Sequence, residues 1–218
     1  ITAAQFQPDT LDGITGLHMH TLCEQNADAL VTTLRAAEEK FGKYFHRMQW
    51  LNLGGGHHVT RPDYDVDLLV SELVRVRDKY GVQVYIEPGE AVALSAGWLV
   101  TTVLDVTNNG VDIAILDTSA VCHMPDVIEM PYRPPLMDAG QPGDKAYTYR
   151  LAGPTCLAGD VIGDYSFDAP LKAGDRLAFC DMAIYTMVKS NTFNGMPLPA
   201  IAVHGRDGKN RIVKTFGY

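Results

Sequence analysis

The sequence predicts an α/β half followed by an all-β half, on three observations. Strand and helix patterns alternate through residues 1–95, β-branched runs between Gly, Pro and Asp turns fill residues 96–218, and the chemically versatile residues of the first half gather where its strands end. "GLHMH" (16–20) is a short strand-like run. "NADALVTTLRAAEEKFGKYF" (26–45) spaces Ala29, Leu30, Leu34, Ala37 and Phe41 for one helical face, with Asn26 as the cap. "MQWLNLGG" (48–55) reads as a buried strand, "VDLLVSELVRVRDKYG" (66–81) as an amphipathic helix stopped by Gly81, and "VQVYIEPGE" (82–90) as a third strand. Repeated βα units put side chains at strand C-terminal ends, where parallel sheets and barrels bind ligands; three units are too few to close a barrel of about eight.

In the second half, "WLVTTVLDVTNNGVDIAILDTSA" holds two β-branched runs about an NNG turn, a hairpin signal. "KAYTYRLAGP", "RLAFC" and "RIVKTF" continue the β pattern toward a sandwich or barrel, and a short helix is expected near 182–190 in "MAIYTMVKSN".

With 218 residues, 46% of them hydrophobic, the chain can bury a sizeable core. Its 18 Lys and Arg stand against 26 Asp and Glu, a net charge of −8 without any basic run, which argues against nucleic acid and suits a cationic small molecule. Cys23, Cys122, Cys156 and Cys180 are widely spaced and form no CxxC pair, as expected of a reducing cytoplasm. No apolar stretch approaches the ~18 residues of a membrane span, and the start "ITAAQFQPDT" has neither region of a signal peptide. It also has no initiator Met, so an upstream segment is expected.

Four features carry chemistry. His18 and His20 place two rings on one strand face; with His57 or His58 they offer a divalent-metal site and a hydrolase reading, or they are hydrogen-bonded rim residues. Gly54, Gly55 and Gly56 follow an apolar strand, where converging N–H groups hold a phosphate, or where a tight turn needs them. Glu87 ends an apolar strand and needs a partner, either a salt bridge or the protonated ring nitrogen of a heteroaromatic cofactor. Cys156 lies in the Gly/Pro loop "GPTCLAGD", a setting open to a reactive or a structural thiol.

Together "GLHMHTLCEQNADAL", "LNLGGGHHVT", "YIEPGEAV", "DTSAVCHMPDVIEMPYRP", "YRLAGPTCLAGDVIGDY" and "FCDMAIYTMVKSNTFNG" resemble the carboxynorspermidine (carboxyspermidine) decarboxylases, a family of alanine-racemase-like, pyridoxal-phosphate-dependent enzymes. The resemblance runs over essentially the whole chain. It implies the C-terminal part of a pyridoxal-phosphate-binding (β/α)8 TIM barrel followed by a β-sandwich or barrel-like domain, with active sites shared across a homodimer. His20 matches the histidine on the cofactor ring, Gly54, Gly55 and Gly56 the phosphate loop, and Glu87 the acid at the pyridine nitrogen. Cys156 matches the partner-borne cysteine that protonates the carbanion carbon, and Tyr185 a tyrosine that helps hold the phosphate. No metal is expected on this reading.

Two departures qualify the match. The wider family reads E-P-G-R with a phosphate-binding Arg, and this sequence has Glu90 there; an acid at that position suits an ammonium of a polyamine-like amino acid substrate, with Asp126 beside it and Asp117 and Asp160 behind. None of the lysines falls on an early barrel strand, where the Schiff-base lysine belongs, so the chain by itself is expected not to turn over substrate. A lysine-less relative that pairs with an active decarboxylase is the non-enzyme alternative.

Overall fold

Amphipathic helices between short apolar strands give parallel βα units, because a crossover helix is what returns the chain to the same end of the sheet. The computed structural model describes residues 1–217, and the chain forms two units, Ile1–Leu94 and the part from Ser95 onward. The first unit runs β1 (Gly16–His18), α1 (Ala27–Phe45), β2 (Trp50–Gly55), α2 (Val66–Tyr80), β3 (Gln83–Glu87) and α3 (Gly89–Ala93), with a parallel sheet in the order β1-β2-β3. Leu30, Leu34 and Phe45 of α1 and Leu69, Val76 and Tyr80 of α2 share one buried cluster with Leu51 and Leu53 of β2. Asn26 caps α1 through the Ala27 N–H, and its side chain also accepts from the Asp65 N–H and donates to the Asp63 carbonyl. One side chain therefore caps one helix and fixes the entry to the next. Gly81 closes α2 in the left-handed region at φ +66°.

Two ends differ from expectation. The first strand stops at His18, so His20 lies in the following loop, and the third stops at Glu87. Pro88 has no N–H for the ladder, and the chain winds into α3 directly after it.

The second unit contains β4 (Trp98–Asn108), β5 (Asp112–Leu116), α4 (Ala120–His123), α5 (Asp126–Glu129), β6 (Tyr147–Ala152), β7 (Val161–Phe167), β8 (Arg176–Cys180), α6 (Tyr185–Lys189), β9 (Ile201–His204) and β10 (Asn210–Lys214). The NNG hairpin is present: Asn108 donates to Asp112 and accepts the Gly110 N–H. Five strands form a sheet in the order β7-β6-β5-β4-β8, and β9 and β10 make a separate hairpin. Segment 135–140 links the two outer strands, since Met137 N–H bonds to the Ala178 carbonyl on β8 while Gly140 and Ser166 on β7 exchange backbone bonds. This stitching covers both edges and gives the sheet its barrel-like closure. The short helix is found at α6, whereas β7, β9, α4 and α5 were not foreseen. In β7 the strand signal is broken by Gly163 and Asp164, and the ladder compensates by pairing Asp164 with Arg150 directly across the strands at 2.8 Å.

Candidate active site

In the first unit the strand register decides which side chains meet. His18 pairs with Asn52, and Gly55 with Glu87. At the C-terminal ends of the strands, Asn52 donates Nδ2–H to Glu87 Oε1 at 2.7 Å; His18 Nε2 lies 3.6 Å from Oε1 and His20 Nδ1 3.5 Å from Oε2. The Asn52 hydrogen bond, aided by the two imidazoles, holds the Glu87 carboxyl below the usual carboxylate range. Glu87 is therefore an ionised acid, 45% exposed, facing outward at a strand end.

The glycines pack where side chains cannot. A Cβ at Gly54, whose φ is +78°, would stand 2.4 Å from the Met19 carbonyl, and one at Gly56, at φ +81°, 2.4 Å from the Leu22 carbonyl. Their bare backbone is what lets the loop after β1 approach. Of its N–H groups, that of Gly54 already bonds to Asn52 Oδ1 at 2.9 Å, while that of Gly55 meets His20 Nδ1 only at 3.4 Å. A phosphate thus has the Gly55 N–H available before that of Gly54.

Behind this loop the two other histidines point elsewhere. His57 is buried, with Nδ1 3.2 Å from the Tyr64 hydroxyl; burial pushes its titration down. His58, also buried, lies 3.2 Å from Glu90, and Glu24 joins them with ligand atoms all within 4.8 Å. A metal set of His18, His20 and either His57 or His58 is therefore not assembled; the third group beside His18 and His20 is Glu87. Glu90 is not the unpaired acid expected, since His58 is its partner, yet two carboxylates around one imidazole leave capacity for a cation.

In the second unit, Cys156 is exposed and its Sγ accepts Nδ2–H of Asn194 at 3.1 Å. Asp160 is buried and accepts from Ser119 Oγ, Ala120 N–H and Thr155 Oγ1 at 2.6–3.0 Å. These donors make it a brace that ties the Cys156 loop to α4. Asp126 is likewise occupied: Lys189 Nζ lies 2.5 Å from it and 2.9 Å from Glu129. That cation leaves it poorly placed to recruit a second. Asp117 accepts from Thr101 Oγ1 and Thr102 N–H. Tyr185 opens α6 and is half-exposed. Sequence reasoning missed Asn52, Glu24 and Asn194; the polar interruption in "LNL" signalled the first, and nothing in composition marked the others.

A parallel βα unit ending in an outward-facing acid, followed by a mostly antiparallel, stitched sheet, is the architecture of fold-type III pyridoxal-phosphate decarboxylases. Residues 64–183 match the family described as pyridoxal-dependent decarboxylase, C-terminal sheet domain, and the chain belongs to that family. It is 45% identical over 229 residues to the carboxynorspermidine/carboxyspermidine decarboxylase of Campylobacter jejuni, covering 100% of this chain and 60% of that protein. To the carboxyaminopropylagmatine decarboxylase of Synechocystis it is 44% identical over 220 residues, covering 100% of this chain and 57% of the relative. The crystal structure of carboxynorspermidine decarboxylase from Campylobacter jejuni complexed with norspermidine superposes with a TM-score of 0.91 at 45% identity, over 100% of this chain and 62% of that one. The chain spans about three fifths of the length of these relatives. The residues present fit the family's cofactor: Glu87 is an ionised carboxylate that would suit a protonated ring nitrogen, and the Gly55 N–H, only loosely engaged by His20, would suit a phosphate.

Proposed function

We propose that this chain belongs to an enzyme that decarboxylates carboxynorspermidine or carboxyspermidine to norspermidine or spermidine with pyridoxal phosphate. The observation that carries this reading is the Glu87 carboxylate held ionised by Asn52, His18 and His20 at the strand ends. Bound there, pyridoxal phosphate supplies an electron sink for the carbon that loses carbon dioxide. Glu87 keeps a proton on the ring nitrogen, His20 covers the ring, and Gly54, Gly55 and Gly56, with Tyr185, hold the phosphate. Cys156 returns a proton to the carbon after carbon dioxide has left. Glu90, with Glu24 beside it, attracts an ammonium of the substrate arm.

The resemblance also leads us to place the enzyme in the cytoplasm as a homodimer. Free thiols at Cys23, Cys122, Cys156 and Cys180 suit a reducing compartment, and among the described residues no helix is long and apolar enough to cross a membrane.

Two of the relatives differ in the arm that their names describe, so the test is a competition. The full-length protein is given carboxynorspermidine, carboxyspermidine, carboxyaminopropylagmatine, lysine, ornithine, arginine and diaminopimelate, and carbon dioxide release is compared. The highest kcat/KM is expected for the first two. A higher value for carboxyaminopropylagmatine moves the assignment to a guanidinium-bearing arm, and one for a simple amino acid removes the polyamine reading. Stoichiometric zinc or manganese without pyridoxal absorbance would instead favour a metal at His18, His20 and Glu87.

A further inference from the structure

We infer that Asn194 is a positioning residue for the Cys156 sulfur, holding the thiol in its delivery orientation and donating to the thiolate that proton transfer creates. This rests on the reading of Cys156 as proton donor. Its basis is the 3.1 Å contact between Asn194 Nδ2 and Cys156 Sγ, made by a residue at φ +57° in the turn Phe193–Gly195. An L-residue rarely occupies that region, and the turn holds it there by outside bonds.

Both sides of the contact are anchored on α4. On one side, the Phe193 carbonyl accepts from the Cys122 thiol, the Phe193 N–H bonds to Asn191 Oδ1, and Asn191 Nδ2 donates to the Val121 carbonyl. On the other, Asp160 accepts from Ala120 N–H at the start of α4 and from Thr155, the neighbour of Cys156. Residues far apart in sequence are thus fixed to one short helix, and the Nδ2–Sγ distance follows from that shared anchor. Asp160, Ser119 and His123 are among the buried polar and charged groups around α4, with Thr118 and Thr186; His123 accepts the Ser119 N–H and its Nε2 lies 2.9 Å from the Pro197 carbonyl. The bonds of Asp160, Ser119 and His123 run to one another, to backbone and, from Asp160, to the Thr155 hydroxyl, and Asn194 is the polar group on the sulfur among the described residues.

The chemistry is a single proton transfer. The Cys156 S–H bond breaks, a C–H bond forms at the carbon that lost carbon dioxide, and the S–H electron pair stays on sulfur. An N–H donor lowers the cost of that charge, and solvent returns the proton because Cys156 is exposed.

Asn194→Gly separates positioning from turn geometry, since glycine relieves the positive φ while deleting the donor. In the full-length enzyme, Asn194→Gly is expected to lower kcat about tenfold with KM unchanged and Tm unchanged or higher, and Asn194→Ala to lower kcat equally. The solvent deuterium isotope effect on kcat is expected to rise in Asn194→Gly, because proton delivery from Cys156 becomes more rate-limiting, a change that altered folding alone does not produce. Cys156→Ala combined with Asn194→Gly should be no slower than Cys156→Ala. Wild-type kcat and isotope effect in Asn194→Gly, with Cys156→Ala impaired, would overturn the role of Asn194 alone. Full activity in Cys156→Ala would remove the underlying reading.

Discussion

Asn52 Nδ2 donates to Glu87 Oε1 at 2.7 Å, and the same asparagine accepts the Gly54 N–H at 2.9 Å. A polar residue in the middle of an apolar strand thereby links the Glu87 carboxylate to the glycine loop. Glu87→Gln keeps the shape and removes the charge proposed to hold a proton on the ring nitrogen. Decarboxylation is expected to fall at least about tenfold, since a neutral amide no longer favours the protonated ring nitrogen. Asn52→Ala should have a smaller effect of the same sign. Steady-state kcat, with cofactor content measured by absorbance, checks both.

Glu90 and Asp126, equivalent in the sequence as candidate substrate acids, are separated by their neighbours. Asp126 has Lys189, whereas Glu90 shares one imidazole with Glu24. Glu90→Ala is expected to raise KM for the polyamine-like substrate by about tenfold. Asp126→Ala should leave KM unchanged and cost at most about 1 kcal/mol of stability, the usual worth of an exposed ion pair. A matching KM rise in both variants would return Asp126 to the substrate site.

The legible parts of this fold were those with local causes. Asn26, Gly81 and the NNG turn announce element ends through caps and positive φ, and the α2 periodicity declares its buried face. Strand β7 was hidden because its stabilising pair, Arg150 with Asp164, lies across the ladder and leaves Gly and Asp in the sequence where a strand usually shows alternation. In the site, Glu87 and Cys156 stood out by type and setting. Asp160 could not be told from a surface acid until its donors from α4 and Thr155 were visible. Partnering, set by tertiary contact, is what residue type alone does not disclose.

Glu38 on α1 receives Arg75, Tyr80 and Lys79 from α2. Burial pushes its carboxyl up, but the hydrogen bonds from these three outweigh that and hold it at about 2, below the ordinary 4.5. A depressed folded-state value means that the stabilisation is present above pH 4.5 and is lost as pH falls toward 2. Glu38→Gln is expected to cost on the order of 2 kcal/mol at neutral pH and to flatten the loss of stability in that acid window. Urea midpoints measured between pH 7 and pH 3 test it.

The shared-site reading makes a quantitative demand on subunit mixing. Glu87 lies in the unit before Ser95 and Cys156 in the unit after it, and the family resemblance implies that a partner delivers the cysteine. If so, a dimer of one Glu87→Gln subunit and one Cys156→Ala subunit carries both lesions in one site and none in the other. Equal mixing with random exchange makes half the dimers mixed, so about a quarter of wild-type activity is expected from two crippled parents. If each site were built within one chain, every site in a mixed dimer would retain one lesion. Activity then stays at the average of the parents. Native mass spectrometry that demonstrates exchange, together with unrecovered activity, would assign Cys156 to the same chain as its Glu87.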